Sequence, residues 1–336
     1  MIVMPSHTLS PRRRALRAGS IALTATLTLA ACGGTDEGGG SADEGKVQVA
    51  SGFFPLSELA RAVGGDHVEV TQVTPDGSDP HHLEMTPQAT GRLQEADLVL
   101  HLRTMQPALD AAVEAVAADR AWDAGEAVDL EAGPRTGKAE ESGHEGHDHA
   151  AEAEAGHDGH DHGGVDPHFW LDPVAFGEAA TSLGDALAER DPEHAEDYRR
   201  NAQEYVHQLE ELDDDLAQQL GHCRSTDLVV GHEAYAWFGA RYGFHQLGVA
   251  GLSNEAEVSP ARLAELTDTI KKSGVSTIYA EPLAPRDNAR TLADETGTTV
   301  EVLDPAAGLT DSSAARDYLG IMRHNGEVLH TGQGCE

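Results

Sequence analysis

The sequence predicts an α/β protein with two α/β lobes, each built on a mostly parallel sheet, joined by one long backbone helix. Three observations support this fold class. Strand-like runs alternate with helical runs in the first part of the chain, a long helical stripe follows, and a second alternating series completes the chain. Because alternating β and α segments form parallel sheets covered by helices, each series predicts one lobe.

The first 31 residues are typical of a secretory signal. They contain four arginines and no acid, and their apolar run at 18–31 is too short for a stable membrane-spanning helix. The Leu-Ala-Ala-Cys motif at 29–32 resembles the lipobox of bacterial lipoproteins, so Cys32 is the predicted site of lipidation. An ordinary cleaved signal with an unrelated cysteine is the alternative. Residues 32–45, rich in glycine, predict a flexible tether to the membrane.

The first predicted lobe comprises residues 46–191 and begins with a strand, a helix and a second strand. Runs rich in valine predict the strands, and the pair Gly64-Gly65 predicts where the first helix ends. The predicted elements are strands at 47–50, 68–73 and 97–102 and a helix at 55–63.

Residues 133–165 interrupt this order. The tract consists mainly of Gly, Glu, Asp, Ala and His without periodicity, which predicts a disordered surface loop. Its histidines predict a weak accessory metal-binding loop, or an insertion that binds metal with no effect on function. They are His144, His147, His149, His157, His160 and His162.

The linking helix is predicted at 192–221. Tyrosines and leucines recur there at three, four or seven residues, the spacing of one helix face. The second lobe, 222–336, again alternates strands and helices. Its predicted elements are strands at 227–231, 276–280 and 300–303, a helix at 233–242 and a helix that starts at Ser259-Pro260.

The composition limits the possible partners. The chain has 23 Lys and Arg against 58 Asp and Glu, a net charge of −35 with neutral histidines. Such a surface cannot displace counterions from phosphates, so nucleic acid is excluded as a partner. The chain also has 19 histidines, more than packing requires, and their clustering points to metal binding.

Two cysteines remain if Cys32 carries a lipid. Cys223 and Cys335 would both lie in an exported, oxidising compartment, where a disulfide between them is the natural expectation. Two free buried thiols are the alternative.

Four polar motifs lie in loops, where open α/β sheets bind their ligands. Three contain histidine, and the fourth offers a carboxylate. Three imidazoles and one carboxylate satisfy tetrahedral Zn²⁺, and with two ligands from each lobe the metal would lie in the cleft between them. The motifs are DPHHLE at 79–84, DPHFWLD at 166–172, GHEAY at 231–235 and DP at 304–305.

These motifs resemble those of the ZnuA/TroA-like metal-binding receptors of bacterial ABC importers, of the cluster A-I type. The similarity covers about residues 46–336 and includes GLSNEAEVSPARLAEL at 251–266 and AEPLAPRDNARTLADETGTTVEVLDP at 280–305. Matched residue by residue, the resemblance assigns the metal ligands to His81, His168, His232 and Asp304. His82 is an alternative to His81, and Glu281 or water is an alternative to Asp304.

The resemblance implies an extracytoplasmic receptor, anchored by lipid to the outer face of the cell membrane, that delivers Zn²⁺ to a membrane permease and its ATPase. We expect a monomer with Zn²⁺ as the transported ligand. A manganese or iron receptor is the alternative in the same family, but three imidazoles favour zinc. A zinc buffer or adhesin without a transport role is a further alternative. A zinc hydrolase is not expected, because Ala236 stands where the second histidine of a His-Glu-x-x-His motif would be.

Overall fold

Two four-stranded parallel sheets organise the part of the chain that the computed structural model describes, residues 45–135, 165–252 and 258–336. The predicted fold class, two α/β lobes with a long helix between them, is confirmed. Cys32 and the six histidines of the acidic loop lie outside the described residues. No helix among the described residues is both long and apolar enough to cross a membrane.

The first sheet contains three valine- and leucine-rich strands and one short edge strand. Its strands are β1 (Val47–Ser51), β2 (Val68–Gln72), β3 (Leu98–His101) and β4 (Ala121–Asp123). Its helices are α1 (Phe54–Gly64), α2 (Pro87–Glu95), α3 (Pro107–Val116) and α4 (Ala124–Ala127). The strand order is β2-β1-β3-β4, all parallel. Gly65 ends α1 at φ +56°, as the Gly-Gly pair predicts.

The second sheet repeats this order. Its strands are β5 (Asp227–Val230), β6 (His245–Gly248), β7 (Thr277–Ala280) and β8 (Thr299–Val302). In the order β6-β5-β7-β8, the chain goes from β5 to β6 on one side and then crosses to β7 on the other side of β5. The crevice beyond the carboxyl ends of β5 and β7 is therefore a topological switch point, where α/β sheets bind ligands.

Two long helices lie between the sheets in chain order, α5 (Pro173–Arg190) and α6 (Ala195–Leu220). The 26 residues of α6 extend about 39 Å, which agrees with the predicted linking helix. It starts later than predicted because Pro192–His194 forms a 3₁₀ turn. At Gly184 of α5 a Cβ would lie 2.9 Å from Cβ of Ala202, so glycine allows the two helices to pack closely.

The remaining helices belong to the second lobe. They are α7 (Ala236–Tyr242), α8 (Pro260–Ser273), α9 (Asp287–Thr296) and α10 (Tyr318–Gly332). The helix predicted at 233–242 is shorter at its start, because Glu233 N donates to Gly251 O and Ala234 N to His232 O, which holds this segment in a loop.

One hydrophobic core joins the two lobes. It includes Phe53 and Trp170 from the first lobe, Tyr198 from α6, and Trp237 and Leu329 from the second lobe. Gly45–Glu336 accordingly form one compact unit, so the residue boundaries between the lobes stay a prediction.

The predicted disulfide between Cys223 and Cys335 is present. Next to it, Glu336 N donates to His222 O, and Gln333 Nε2 donates to Asp227 O at the start of β5. The disulfide and these hydrogen bonds attach the end of α10 to the second sheet.

Candidate metal centre

Three histidines that the sequence singles out meet in the cleft. His81 Nε2 lies 3.3 Å from His168 Nε2, and His232 Nε2 lies 3.3 Å from the same atom. Their possible ligand atoms all lie within 4.8 Å of one another, and they are the one such group of His, Cys, Asp or Glu among the described residues. The sequence separation of His81 and His232 shows that the tertiary fold, not a local motif, forms this group.

His81 lies in a 3₁₀ turn, Pro80–His82, between β2 and α2. The turn starts at Asp79, whose Oδ1 accepts a hydrogen bond from His81 N at 3.0 Å. The neighbouring His82 keeps 40% of its side chain exposed, and its Nδ1 lies 3.3 Å from the other oxygen of Asp79. His81, whose Nε2 contacts His168, is therefore the histidine of this pair that belongs to the group, and His82 does not.

His168 is fully buried. Asp166 Oδ1 accepts hydrogen bonds from His168 N at 3.0 Å and from its ring Nδ1 at 2.7 Å. Because the carboxylate holds the proton on Nδ1, the lone pair of Nε2 points to the two other histidines. Burial lowers the pKa of His168, although Asp166 acts in the opposite direction, and this favours the neutral imidazole that binds metal.

His232 follows β5, and a carboxylate at the end of β7 holds it in the same way. Glu281 Oε1 accepts from His232 N at 2.9 Å, and Glu281 Oε2 accepts from the ring Nδ1 at 2.6 Å. A Cβ at Gly231 would lie 2.5 Å from Glu281 Oε1, so only glycine leaves room for this carboxylate. Burial alone would lower the pKa of His232, but the charge and hydrogen bond of Glu281 outweigh it and raise that pKa.

Asp304 lies just after β8 and is buried. Its Oδ1 accepts from Ala306 N at 2.9 Å, while Oδ2 has no hydrogen-bond partner among the described residues. The pKa of Asp304 is raised to about 6, mainly by burial and also by the neighbouring charge of Glu281, while hydrogen bonds from Ala306 N and the Ser313 side chain act to lower it. Asp304 lies outside the group of three histidines.

The sequence did not reveal the roles of Asp166 and Glu281. The sequence assigns no role to Asp166 in its motif and offers Glu281 as an alternative ligand. Both oxygens of Glu281 instead accept hydrogen bonds from His232. A carboxylate two residues before a candidate ligand, or directly after a neighbouring strand, is the signal that could have identified them.

The donor set determines what this centre can do. Three imidazole Nε2 atoms lie close together, and the rings of His168 and His232 are each oriented by a carboxylate at Nδ1. This is the pattern of a zinc site. His168 and His232 are almost inaccessible to solvent, so an ion bound there would be largely dehydrated.

Comparison with known families identifies the chain. The family model described as "Zinc-uptake complex component A periplasmic", ZnuA, matches residues 49–332. The chain belongs to the ZnuA family. The family resemblance that the sequence motifs indicate is therefore confirmed.

Two curated relatives show how far the similarity to ZnuA-family proteins extends. The zinc-binding lipoprotein AdcA of Streptococcus pneumoniae is 31% identical over 292 residues, which cover 85% of this chain and 56% of AdcA. The chain thus spans about half the length of the AdcA proteins that it matches. The high-affinity zinc uptake system protein ZnuA of Bacillus subtilis is 31% identical over 310 residues, which cover 90% of this chain and 93% of that protein.

A solved structure shows the same fold. The crystal structure of the laminin-binding protein Lbp of Streptococcus pyogenes superposes with a TM-score of 0.69 at 27% identity, and covers 86% of this chain and all of that one (100%).

Proposed function

We propose that this chain is an extracytoplasmic receptor that binds Zn²⁺ between its two lobes and delivers it to an ABC-type importer. The convergence of three imidazole Nε2 atoms, with the rings of His168 and His232 each held by a carboxylate, carries this proposal. The names of the AdcA and ZnuA relatives, both zinc proteins, support the same function. Zinc is the cargo of such a receptor, so the site has to hold the ion and release it again.

The nature of the donor atoms favours zinc over manganese or iron. Manganese prefers oxygen-rich coordination, whereas neutral imidazoles suit zinc and follow the general order of metal affinities. In this cleft, His81, His168 and His232 supply three nitrogen ligands. We propose Asp304 as the fourth ligand, because its Oδ2 is buried without a hydrogen-bond partner at normal geometry among the described residues, while both oxygens of Glu281 accept hydrogen bonds from His232.

The proposed receptor function also implies a location and partners. We propose that Cys32 carries the lipid, that residues 32–45 form the tether, and that the monomeric receptor works on the outer face of the membrane with a permease and its ATPase. The disulfide supports an exported location, because disulfides persist in oxidising compartments. The histidines between 144 and 162 would bind additional zinc weakly.

Substitution of single histidines tests the proposal. In His81→Ala, His168→Ala and His232→Ala, a ligand bond is lost that no neighbour can replace, so zinc affinity should fall by orders of magnitude. His82→Ala is the matched control, because His82 is next to His81 but is turned to Asp79. The measurement is competition of the metal-free protein with a chromophoric zinc chelator. Equal losses in His81→Ala and His82→Ala would show that the ligand is assigned wrongly.

The likeness to a laminin-binding protein favours adhesion as a second candidate function. Surface plasmon resonance on immobilised laminin, with zinc-loaded and metal-free protein, tests it. Saturable binding would support an adhesin, and absence of binding would leave the transport receptor as the single candidate. We propose no catalytic role, since Ala236 at the start of α7 replaces the second histidine of a metalloprotease motif.

A further inference from the structure

Two buried tryptophans form hydrogen bonds between the lobes on either side of His168. Trp170, in the turn that follows His168, donates from its indole Nε1 to Pro305 O at 2.8 Å. Trp237, in α7 of the second lobe, donates from Nε1 to Asp166 O at 3.1 Å. Both indole side chains are fully buried.

These bonds are reciprocal, since one indole of each lobe donates to a main-chain oxygen of the other. Asp166 precedes His168 by two residues, and Trp170 follows it by two residues. The segment that carries His168 is therefore attached to the second lobe at both of its ends. The acceptors also matter, because Asp166 orients the ring of His168 and Pro305 directly follows Asp304.

Helix α7 is attached to its neighbours by side-chain hydrogen bonds, so the hydrogen bond from Trp237 fixes Asp166 relative to the second lobe. Arg241 donates from Nε to Asp213 Oδ1 in α6 at 2.8 Å, and Tyr242 OH donates to the same oxygen at 2.9 Å. Arg241 Nε also lies 3.9 Å from Asp172, the residue that caps α5. The helix that follows His232 is thus attached both to the linking helix and to the segment that follows His168.

Packing alone does not account for this arrangement. A buried phenylalanine would also fill apolar space in the core, whereas an indole adds one N–H donor that needs an acceptor when buried. Both indoles find that acceptor across the cleft, beside residues that orient or flank the metal centre. A shift of one lobe by an ångström would stretch both bonds and change the Nε2 separations of His168 and His232.

We propose that Trp170 and Trp237 are positioning residues, whose reciprocal hydrogen bonds set the spacing of the zinc ligands across the two lobes. The inference rests on the proposed function, because zinc binding is the property that the spacing serves. Neither indole is proposed to contact the ion.

The chain offers a matched control. It contains three tryptophans, and the third, Trp122 in β4, donates from Nε1 to Ser182 Oγ at 3.3 Å within the first lobe. Trp122→Phe removes the same donor as Trp237→Phe, with similar loss of ring volume, but away from the cleft. A general effect of losing a buried indole therefore appears in both variants, while an effect on ligand spacing appears in Trp237→Phe alone.

The experiment measures zinc affinity by chelator competition and the visible absorption of the Co²⁺-loaded protein, which reports the coordination geometry. We expect Trp237→Phe and Trp170→Phe to bind zinc about tenfold more weakly, as for other residues that orient metal ligands. Their Co²⁺ spectra should change in band position or intensity, while Trp122→Phe keeps the affinity and the spectrum of the parent.

A second substitution guards against misfolding. Replacement of Trp237 by 3-benzothienylalanine keeps the size of the ring and removes the N–H, and should give the same weakening. Parent-like affinity and spectrum in both Trp237 proteins would overturn the inference and leave the proposed function intact. A parent protein without a tight zinc site would overturn both.

Discussion

Exchange of Glu281 for glutamine tests how the protein orients His232, a proposed zinc ligand. Both oxygens of Glu281 accept hydrogen bonds from His232, one from the ring and one from the main chain. Glutamine has a single acceptor oxygen and no charge, so the ring Nδ1–H loses its charged acceptor. Such a bond contributes about 1.5–3 kcal/mol. At about 1.4 kcal/mol per factor of ten, zinc affinity should fall roughly 10- to 100-fold.

Glu233→Gln is the control for this change. Glu233 directly follows His232 and loses the same charge on substitution, but its side chain packs beside Gly248 instead of holding the imidazole. Chelator competition on metal-free proteins, at one pH and ionic strength, measures both affinities. Circular dichroism of the same samples shows whether each variant is folded.

The expected order is a large loss for Glu281→Gln and a small one for Glu233→Gln. Equal losses of affinity in the two variants would refute the reasoning, because the loss of negative charge would then account for the effect and the hydrogen bond to His232 would not. An unchanged affinity in Glu281→Gln would show that the carboxylate does not orient the ring.

Two further predictions concern stability of the metal-free protein. Reduction of the disulfide between Cys223 and Cys335, which are 112 residues apart in sequence, should lower the melting temperature and leave zinc binding intact. The loop-entropy model gives about 4–5 kcal/mol as the upper limit for the loss of unfolding free energy. Loss of tight zinc binding on reduction would instead indicate that a thiolate belongs to the site. Burial acts to raise the pKa of Asp191, but hydrogen bonds from His194 and Tyr198 outweigh it and lower that pKa, while the hydrogen bond to Asp191 raises the pKa of His194. The pair therefore stabilises the fold at pH values between the ordinary pKa values of a carboxyl and an imidazole. This stabilisation is lost below the pKa of Asp191 and above the pKa of His194, so Asp191→Asn should lower the melting temperature more near about pH 6 than near about pH 9. Equal shifts of the melting temperature at both pH values would contradict this prediction.

The sequence predicted the elements with a clear periodic signal. The strands around Val49 and Val229 are short valine-rich segments, and α6 has an apolar stripe, so both lobes and the linking helix are identified from sequence. Helix α5 was not, because ten of its 18 residues are buried and many are alanine or glycine, which leaves no contrast between two faces. Its small residues are what lets it pack against α6.

The candidate centre was predictable to the extent that its residues lie in conspicuous motifs. Histidines that directly follow proline or glycine in loop motifs indicate His81, His168 and His232. The partner of His232 could not be derived in this way, since Glu281 lies 49 residues further on and reaches it through the pairing of β5 with β7. That contact depends on strand order, which the sequence pattern does not specify.

The distribution of the proposed ligands along the chain would link zinc binding to the whole fold. His81 and His168 come from segments of the first lobe, and His232 and Asp304 follow strands of the second, so no lobe alone holds a complete set. The ion would therefore connect segments far apart in sequence. Its stabilisation of the folded state would grow with the logarithm of its free concentration over the dissociation constant. The shared hydrophobic core and the two tryptophan bonds attach the lobes to each other. Because these contacts do not involve the ion, we expect little of the binding energy to be needed to bring the lobes together, so that the ligand set itself determines most of the affinity.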